Sequence, residues 1–99
     1  MVSEYRLSPA AKADINGIWD YTAETWSAAQ ANTYIRGLVK SLEMLVTFQE
    51  MGSERREIMP PVRVHRHESH LIIYRIEADC IAVIRILHYR RYWPALLEE

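Results

Sequence analysis

The apolar residues of this chain change their spacing once, near residue 50, and that change restricts the fold more than any single motif. Up to Phe48 they recur at offsets of three and four. Ala11, Ile15, Ile18, Trp19, Thr22 and Trp26 mark one helical stripe, and Ala31, Tyr34, Ile35, Leu38, Leu42, Leu45 and Val46 mark a second. Ser8-Pro9 is a cap followed by proline at a first helical position, and Ser27 can cap the second stripe. The spacing therefore predicts helices over 9–26 and from Ser27 to about Phe48, joined almost without a loop and so antiparallel. Gly37 inside the second costs about 1 kcal/mol relative to Ala, a loss that a close packing contact would explain.

Beyond residue 50 the runs are short and rich in Ile and Val: Val62 to Arg66, Leu71 to Ile76 and Ile81 to Leu87. Glu77-Ala78-Asp79 makes a tight link between the last two, which predicts an antiparallel pair. Residues 3–7 alternate polar and apolar and suit a short opening strand, whereas Gly52 through Pro61 is polar, charged and proline-ended and reads as the one long loop. Tyr92 to Leu97, with Pro94 near its start, suits a terminal turn or short helix. The predicted fold is α+β in the order β-α-α-β-β-β, with the helical hairpin on one face of a mainly antiparallel sheet.

Ninety-nine residues predict a single domain over 1–99, and 49% hydrophobic with 25% charged residues is an ordinary globular mixture. The formal charge of -1 argues against a general polyanion coat and against sequence-specific nucleic-acid binding. Met1 to Arg6 lacks the apolar core of a leader, and no apolar run approaches membrane-spanning length, so the sequence predicts a cytoplasmic protein without membrane contact. One cysteine, Cys80, excludes an internal disulfide and fits a small apolar filler. No phosphate loop, HExxH or nucleophile elbow is present.

Charge is nevertheless uneven. All eight basic residues after residue 50 are Arg, and all four His lie there too. The sharpest cluster is Arg85-Ile86-Leu87-His88-Tyr89-Arg90-Arg91-Tyr92-Trp93, where cations and rings interleave as a macromolecular contact requires. Its expected role is a grip on another macromolecule, against the alternative that its aromatics pin the tail. His65, His67 and His70 look like a metal tract, but on a strand His65 and His67 share a face from which His70 points away unless the chain turns. No metal site is predicted there; His70 is expected to bond across the sheet. Asp14, Asp20, Glu24 and Glu43 are expected on solvated helix faces.

Tyr5-Arg6-Leu7-Ser8-Pro9-Ala10-Ala11, Asp14-Ile15, Ile18-Trp19-Asp20-Tyr21-Thr22, Ser69-His70-Leu71-Ile72-Ile73-Tyr74-Arg75 and Ile84-Arg85-Ile86-Leu87-His88 resemble, in order and spacing, the ParE branch of the RelE/ParE toxins. The resemblance implies the toxin half of a bacterial or plasmid type II toxin-antitoxin pair, non-enzymatic and without a cofactor, that poisons DNA gyrase and is neutralised by a ParD-like antitoxin. Arg85, His88, Arg90, Arg91 and Trp93 are then the expected target contacts, and Tyr34, Met44, Met51 and Met59 the expected antitoxin groove. The rival it implies is ribosome-dependent messenger-RNA cleavage of RelE type, with His88 as proton shuttle, Arg85 as phosphate clamp and Tyr89 as stacking platform. A third possibility is an interaction-only member of the fold. The chain departs from the branch at Phe48-Gln49-Glu50-Met51-Gly52, which keeps only the glycine, and at Tyr89 to Trp93, where relatives are shorter and more acidic.

Overall fold

Ser8 organises the start of the chain. Its Oγ accepts from the Ala11 amide (3.0 Å), capping a helix with Pro9 in its first turn, and donates to the Ile84 carbonyl (2.7 Å) across the molecule. The computed structural model describes residues 3–91 and 93–97. In order they form β1 (Glu4–Leu7), α1 (Pro9–Thr25), α2 (Ala28–Thr47), β2 (Ser53–Arg55), β3 (Val62–His67), β4 (His70–Ile76), β5 (Cys80–His88) and a 3-10 turn (Trp93–Leu97). Ser27 caps α2 by accepting from the Gln30 amide at 3.0 Å. Among the described residues no helix is long and apolar enough to cross a membrane.

The five strands form one sheet in the order β1-β5-β4-β3-β2, antiparallel except where β1 lies parallel to β5. The helical hairpin covers one face, as predicted, and buries Leu38, Leu42, Leu45, Ile72, Tyr74, Ile81, Val83 and Ile86 against Ala11 and Ile18. The stretch read as one long loop contains β2, which is a correction: Ser53 to Arg55 pair with Val64 to Val62. Gly52, just before it, donates its N–H to the Tyr74 hydroxyl (3.0 Å), which donates to the Gln49 carbonyl (2.7 Å). A Cβ at Gly52 would stand 2.7 Å from that hydroxyl, so the close approach requires glycine. Gly37 likewise lies beneath the His67 ring, which a Cβ there would meet at 3.4 Å.

Two local features shape the end of the sheet where the candidate residues gather. β1 stops at Leu7, opposite Val83, so β5 continues beyond it without a strand on that side. The β4–β5 register shifts between Ile73 and Tyr74, leaving Ile84 as the bulged residue whose carbonyl Ser8 takes. The second sheet face carries its own apolar cluster of Val62, Ile73, Leu87 and Trp93, with Ile58, Val64, Leu71, Ile84 and Leu97 around it.

Candidate functional site

Where β1 ends, Asp14 of α1 takes its place. Its Oδ2 accepts from the Ile86 amide (2.9 Å) and Arg85 Nε (2.8 Å), and its Oδ1 from Arg85 Nη2 (2.9 Å). The carboxylate thus satisfies an edge N–H that no strand reaches and holds a two-point pair with the guanidinium, both side chains being mostly buried. Two expectations are corrected here. Asp14 is not on a solvated face, and Arg85 is held as a strut between α1 and β5, so it does not present an open phosphate clamp beside His88. The sequence carries a signal for this: Ala11, Asp14 and Ile18 stand at i, i+3 and i+7, inside the buried stripe.

Past His88 the chain turns. The Arg91 amide donates to the His88 carbonyl (3.0 Å), the Arg90 amide to His88 Nδ1 (3.2 Å) and the Tyr89 amide to the Ser69 carbonyl (2.9 Å). This gathers a cationic cluster around one ring. The Arg66 guanidinium lies 4.1 Å from the Tyr89 centroid, that of Arg90 5.4 Å, and His88 stacks on it at 4.9 Å. Arg90 Nε also donates to the Tyr89 hydroxyl (2.9 Å), and Arg66 Nε to the Glu68 carbonyl (2.7 Å). Tyr89 is therefore enclosed by its own neighbours and is not the open stacking platform expected of it. Its ring fixes cations. Among the described residues no ion pair joins Arg66, Arg90 or Arg91 to a carboxylate. Sequence reasoning missed Arg66, which comes from β3, too far along the chain to be read with the tail.

Trp93 is a further correction. The residue is only 6% exposed, packed into the second apolar face with Arg55 of β2 over its ring at 5.1 Å, so it anchors the tail. Tyr92, read with it, lies outside the described residues.

The histidines converge because Glu68-Ser69 makes a two-residue turn, with Glu68 at φ 48°, that sets His67 opposite His70. Both then face Tyr34 of α2, at 5.5 and 5.4 Å between ring centroids, while His67 Nδ1 bonds Ser41 Oγ at 2.7 Å. His70 Nδ1 lies 2.6 Å from the Tyr34 hydroxyl. Burial pushes the Tyr34 phenol up, so it stays protonated, and its hydroxyl also reaches the His67 carbonyl, to which it donates at 3.4 Å. Burial first, then His88 and His67, lowers His70 to about 4, so its imidazole is neutral at pH 7. His70 thus bonds to a helix rather than across the sheet, while His88, its register partner on β5, stands edge-on at 5.5 Å. Among the described residues no group of three or more His, Cys, Asp or Glu is placed to hold a metal ion.

The residues expected to form one antitoxin groove are not brought together. Tyr34 is half-buried in the histidine network, whereas Met44 and Met51 lie, partly exposed, around the C-terminal end of α2 with the exposed Phe48 between them. Met59 stands out from the β2–β3 loop, 81% exposed.

A family model described as the ParE toxin of the type II toxin-antitoxin system, parDE, matches residues 5–93. Toxin ParE1 of Mycobacterium tuberculosis (strain ATCC 25618 / H37Rv) is 37% identical over 91 residues, covering 91% of this chain and 93% of that protein. Toxin ParE1 of Caulobacter vibrioides is 36% identical over 84 residues, covering 85% and 86%, and Toxin ParE of Escherichia coli 32% over 90, covering 90% and 87%. A solved chain described as "Chromosomal ParDE TA system from P. aeruginosa" shares the fold with a TM-score of 0.76 at 22% identity, over 89% of this chain and 96% of that one. With the match running from β1 through the tail anchor Trp93, this chain belongs to the ParE toxin family of type II toxin-antitoxin systems.

Proposed function

We propose that this toxin acts on DNA gyrase by occupying a surface of it, trapping cleaved DNA and blocking replication, and that a ParD-like antitoxin neutralises it in a heteromeric complex. The observation that carries the reading is family membership over residues 5–93, together with the character of the exposed cluster. Arg66, His88, Arg90 and Arg91 are the target contacts, with Trp93 and Arg85 supporting them from beneath. Two features favour surface binding over messenger-RNA cleavage. The nuclease set Arg85, His88 and Tyr89 has its arginine engaged by Asp14 and its tyrosine ring enclosed by cations. A net charge of -1 also suits a protein target better than the dense polyanion of the ribosome. The description of the structural neighbour as a ParDE system supports an antitoxin partner.

The test is expression of the chain alone in a bacterium, paired with purified gyrase. Filamentous cells with a DNA-damage response, and inhibited supercoiling with accumulated cleaved DNA, are the expected results. Arrested translation with cut transcripts would favour the nuclease. Normal growth with untouched gyrase would leave the interaction-only reading.

A further inference from the structure

Beside the cationic cluster, α1 and the end of β5 enclose a groove of about 410 Å³. Ile18 and Ile86 give it an apolar floor, and Asp14, Tyr21, His70, His88 and Arg91 line the rest of it with Gly17. Gly17 is a poor choice for a helix interior on propensity alone. A Cβ there would meet nothing within 4 Å, so no neighbour in the fold demands the glycine; what it does is leave the groove open.

Three of its polar side chains, His70, His88 and Arg91, carry N–H donors. His70 and His88 are register partners on adjacent strands, and each has its Nδ1 engaged, by the Tyr34 hydroxyl and the Arg90 amide respectively. That leaves Nε2 of each ring as the nitrogen not engaged by those neighbours. Arg91 adds a guanidinium that no ion pair among the described residues engages. The one carboxylate in the lining, Asp14, has both oxygens taken by Arg85 and the Ile86 amide, so its charge is compensated within the fold.

We propose that this groove seats an acidic segment of the antitoxin, with a carboxylate on the His70, His88 and Arg91 donors and an adjoining aliphatic side chain on the floor beside Gly17. The proposal rests on the toxin-antitoxin reading. It places an antitoxin contact at the α1–β5 groove, away from Met44, Met51 and Met59, and because His88 and Arg91 also serve the proposed target surface, neutralisation follows from occlusion. Tyr34 is a positioning residue here, holding His70 through its Nδ1 at 2.6 Å.

The probes are two synthetic peptides, acetyl-Leu-Glu-Leu-amide and its Leu-Gln-Leu counterpart, titrated into the isotopically labelled chain and followed by amide and imidazole NMR. The Glu peptide is expected to shift Gly17, Ile18 and His88 saturably and to bind about tenfold tighter than the Gln peptide, as a charge-assisted bond would make it. Arg91→Ala should remove most of that preference. Gly17→Leu, which adds a side chain to the groove lining at a position where a Cβ meets nothing within 4 Å, should abolish binding of the Glu peptide while the chain stays folded. Tyr34→Phe should shift the His70 nitrogen signals. Equal binding of the two peptides, shifts confined to residues outside the groove, or unchanged binding by Gly17→Leu would each overturn the proposal. The titration needs neither gyrase nor toxicity, so failure of the functional reading appears in the growth assay and failure of the groove appears here.

Discussion

The two faces of the sheet are closed by different means. On one, α1 and α2 lay two amphipathic stripes over Ile72, Tyr74, Ile81, Val83 and Ile86, and many aliphatic side chains share the burial. On the other, the closing layer is thin: the segment around Ile58, and a 3-10 turn that supplies Trp93 and Leu97. A layer made of many residues tolerates the loss of one, whereas a layer hung on a single large ring does not. The tail that carries the cations is thus also the lid of the second core, so the grip and the anchor, set against each other by the sequence, are consecutive parts of one segment.

The largest effect should follow from removing that ring. Trp93→Ala is expected to destabilise the chain by about 4 kcal/mol, within the range for a buried aromatic, and deletion of residues 89–99 to unfold it. Urea unfolding followed by circular dichroism measures both. If Trp93→Ala costs under about 1 kcal/mol, the second face is held by something other than the tail. A corollary is that lost lethality in the tail deletion says nothing of target contacts, because fold and contacts disappear together.

Next in size is the strut on the helix side. Asp14→Ala leaves the Arg85 guanidinium without its carboxylate and the Ile86 amide without its acceptor, an expected loss of about 3 kcal/mol. Arg85→Met in the same background should recover part of it by removing the stranded cation. Failure of the second change to recover anything would assign the cost to the Ile86 edge bond alone.

How much of this was legible before the structure follows from where each interaction lies along the chain. The helices and the three long strands were readable because their stripes and runs repeat locally, and caps at Ser8 and Ser27 fixed the helix starts to within a residue. β2 was not, since Ser53-Glu54-Arg55 has no strand character of its own and owes its state to β3. The cluster was half legible: His88, Arg90 and Arg91 are consecutive enough to be seen, but Arg66 enters from another strand. What holds Arg85 and Trp93 was not legible, because composition shows that a cation or a ring is present and only tertiary contact shows what engages it.

The histidine network joins the two halves of the comparison, and acid should reveal it. His70 holds a folded-state pKa of about 4 against an ordinary 6.5, so as pH falls between those values the unfolded chain takes up a proton that the folded chain refuses. The stability present above pH 6.5 is therefore lost toward pH 4. At about 1.4 kcal/mol per pKa unit the ceiling is about 3.5 kcal/mol, and solvent screening of a half-buried ring reduces the expectation to about 2 kcal/mol. His65, lowered chiefly by burial, acts in the same direction. Comparing urea midpoints at pH 7 and 4.5, the parent should fall further than His70→Gln; parallel falls would mean that His70 contributes nothing to the acid limb.

The smallest change in stability belongs to the cations, and that contrast is what separates grip from anchor. Arg66→Ala, Arg90→Ala and Arg91→Ala remove side chains that join no ion pair among the described residues, so the triple variant should keep its unfolding free energy to within about 1 kcal/mol, most of that from the contacts around Tyr89. Yet if these arginines hold the target, it should lose at least about tenfold in gyrase inhibition, the effect of about 1.4 kcal/mol of binding energy. Trp93→Phe supplies the opposite control: the apolar lid is kept, the cations are untouched and inhibition should persist. A triple variant that is stable and still fully inhibitory would move the contact surface away from the end of β5. Inhibition that follows stability in every variant would instead mean that the cluster has no role beyond folding.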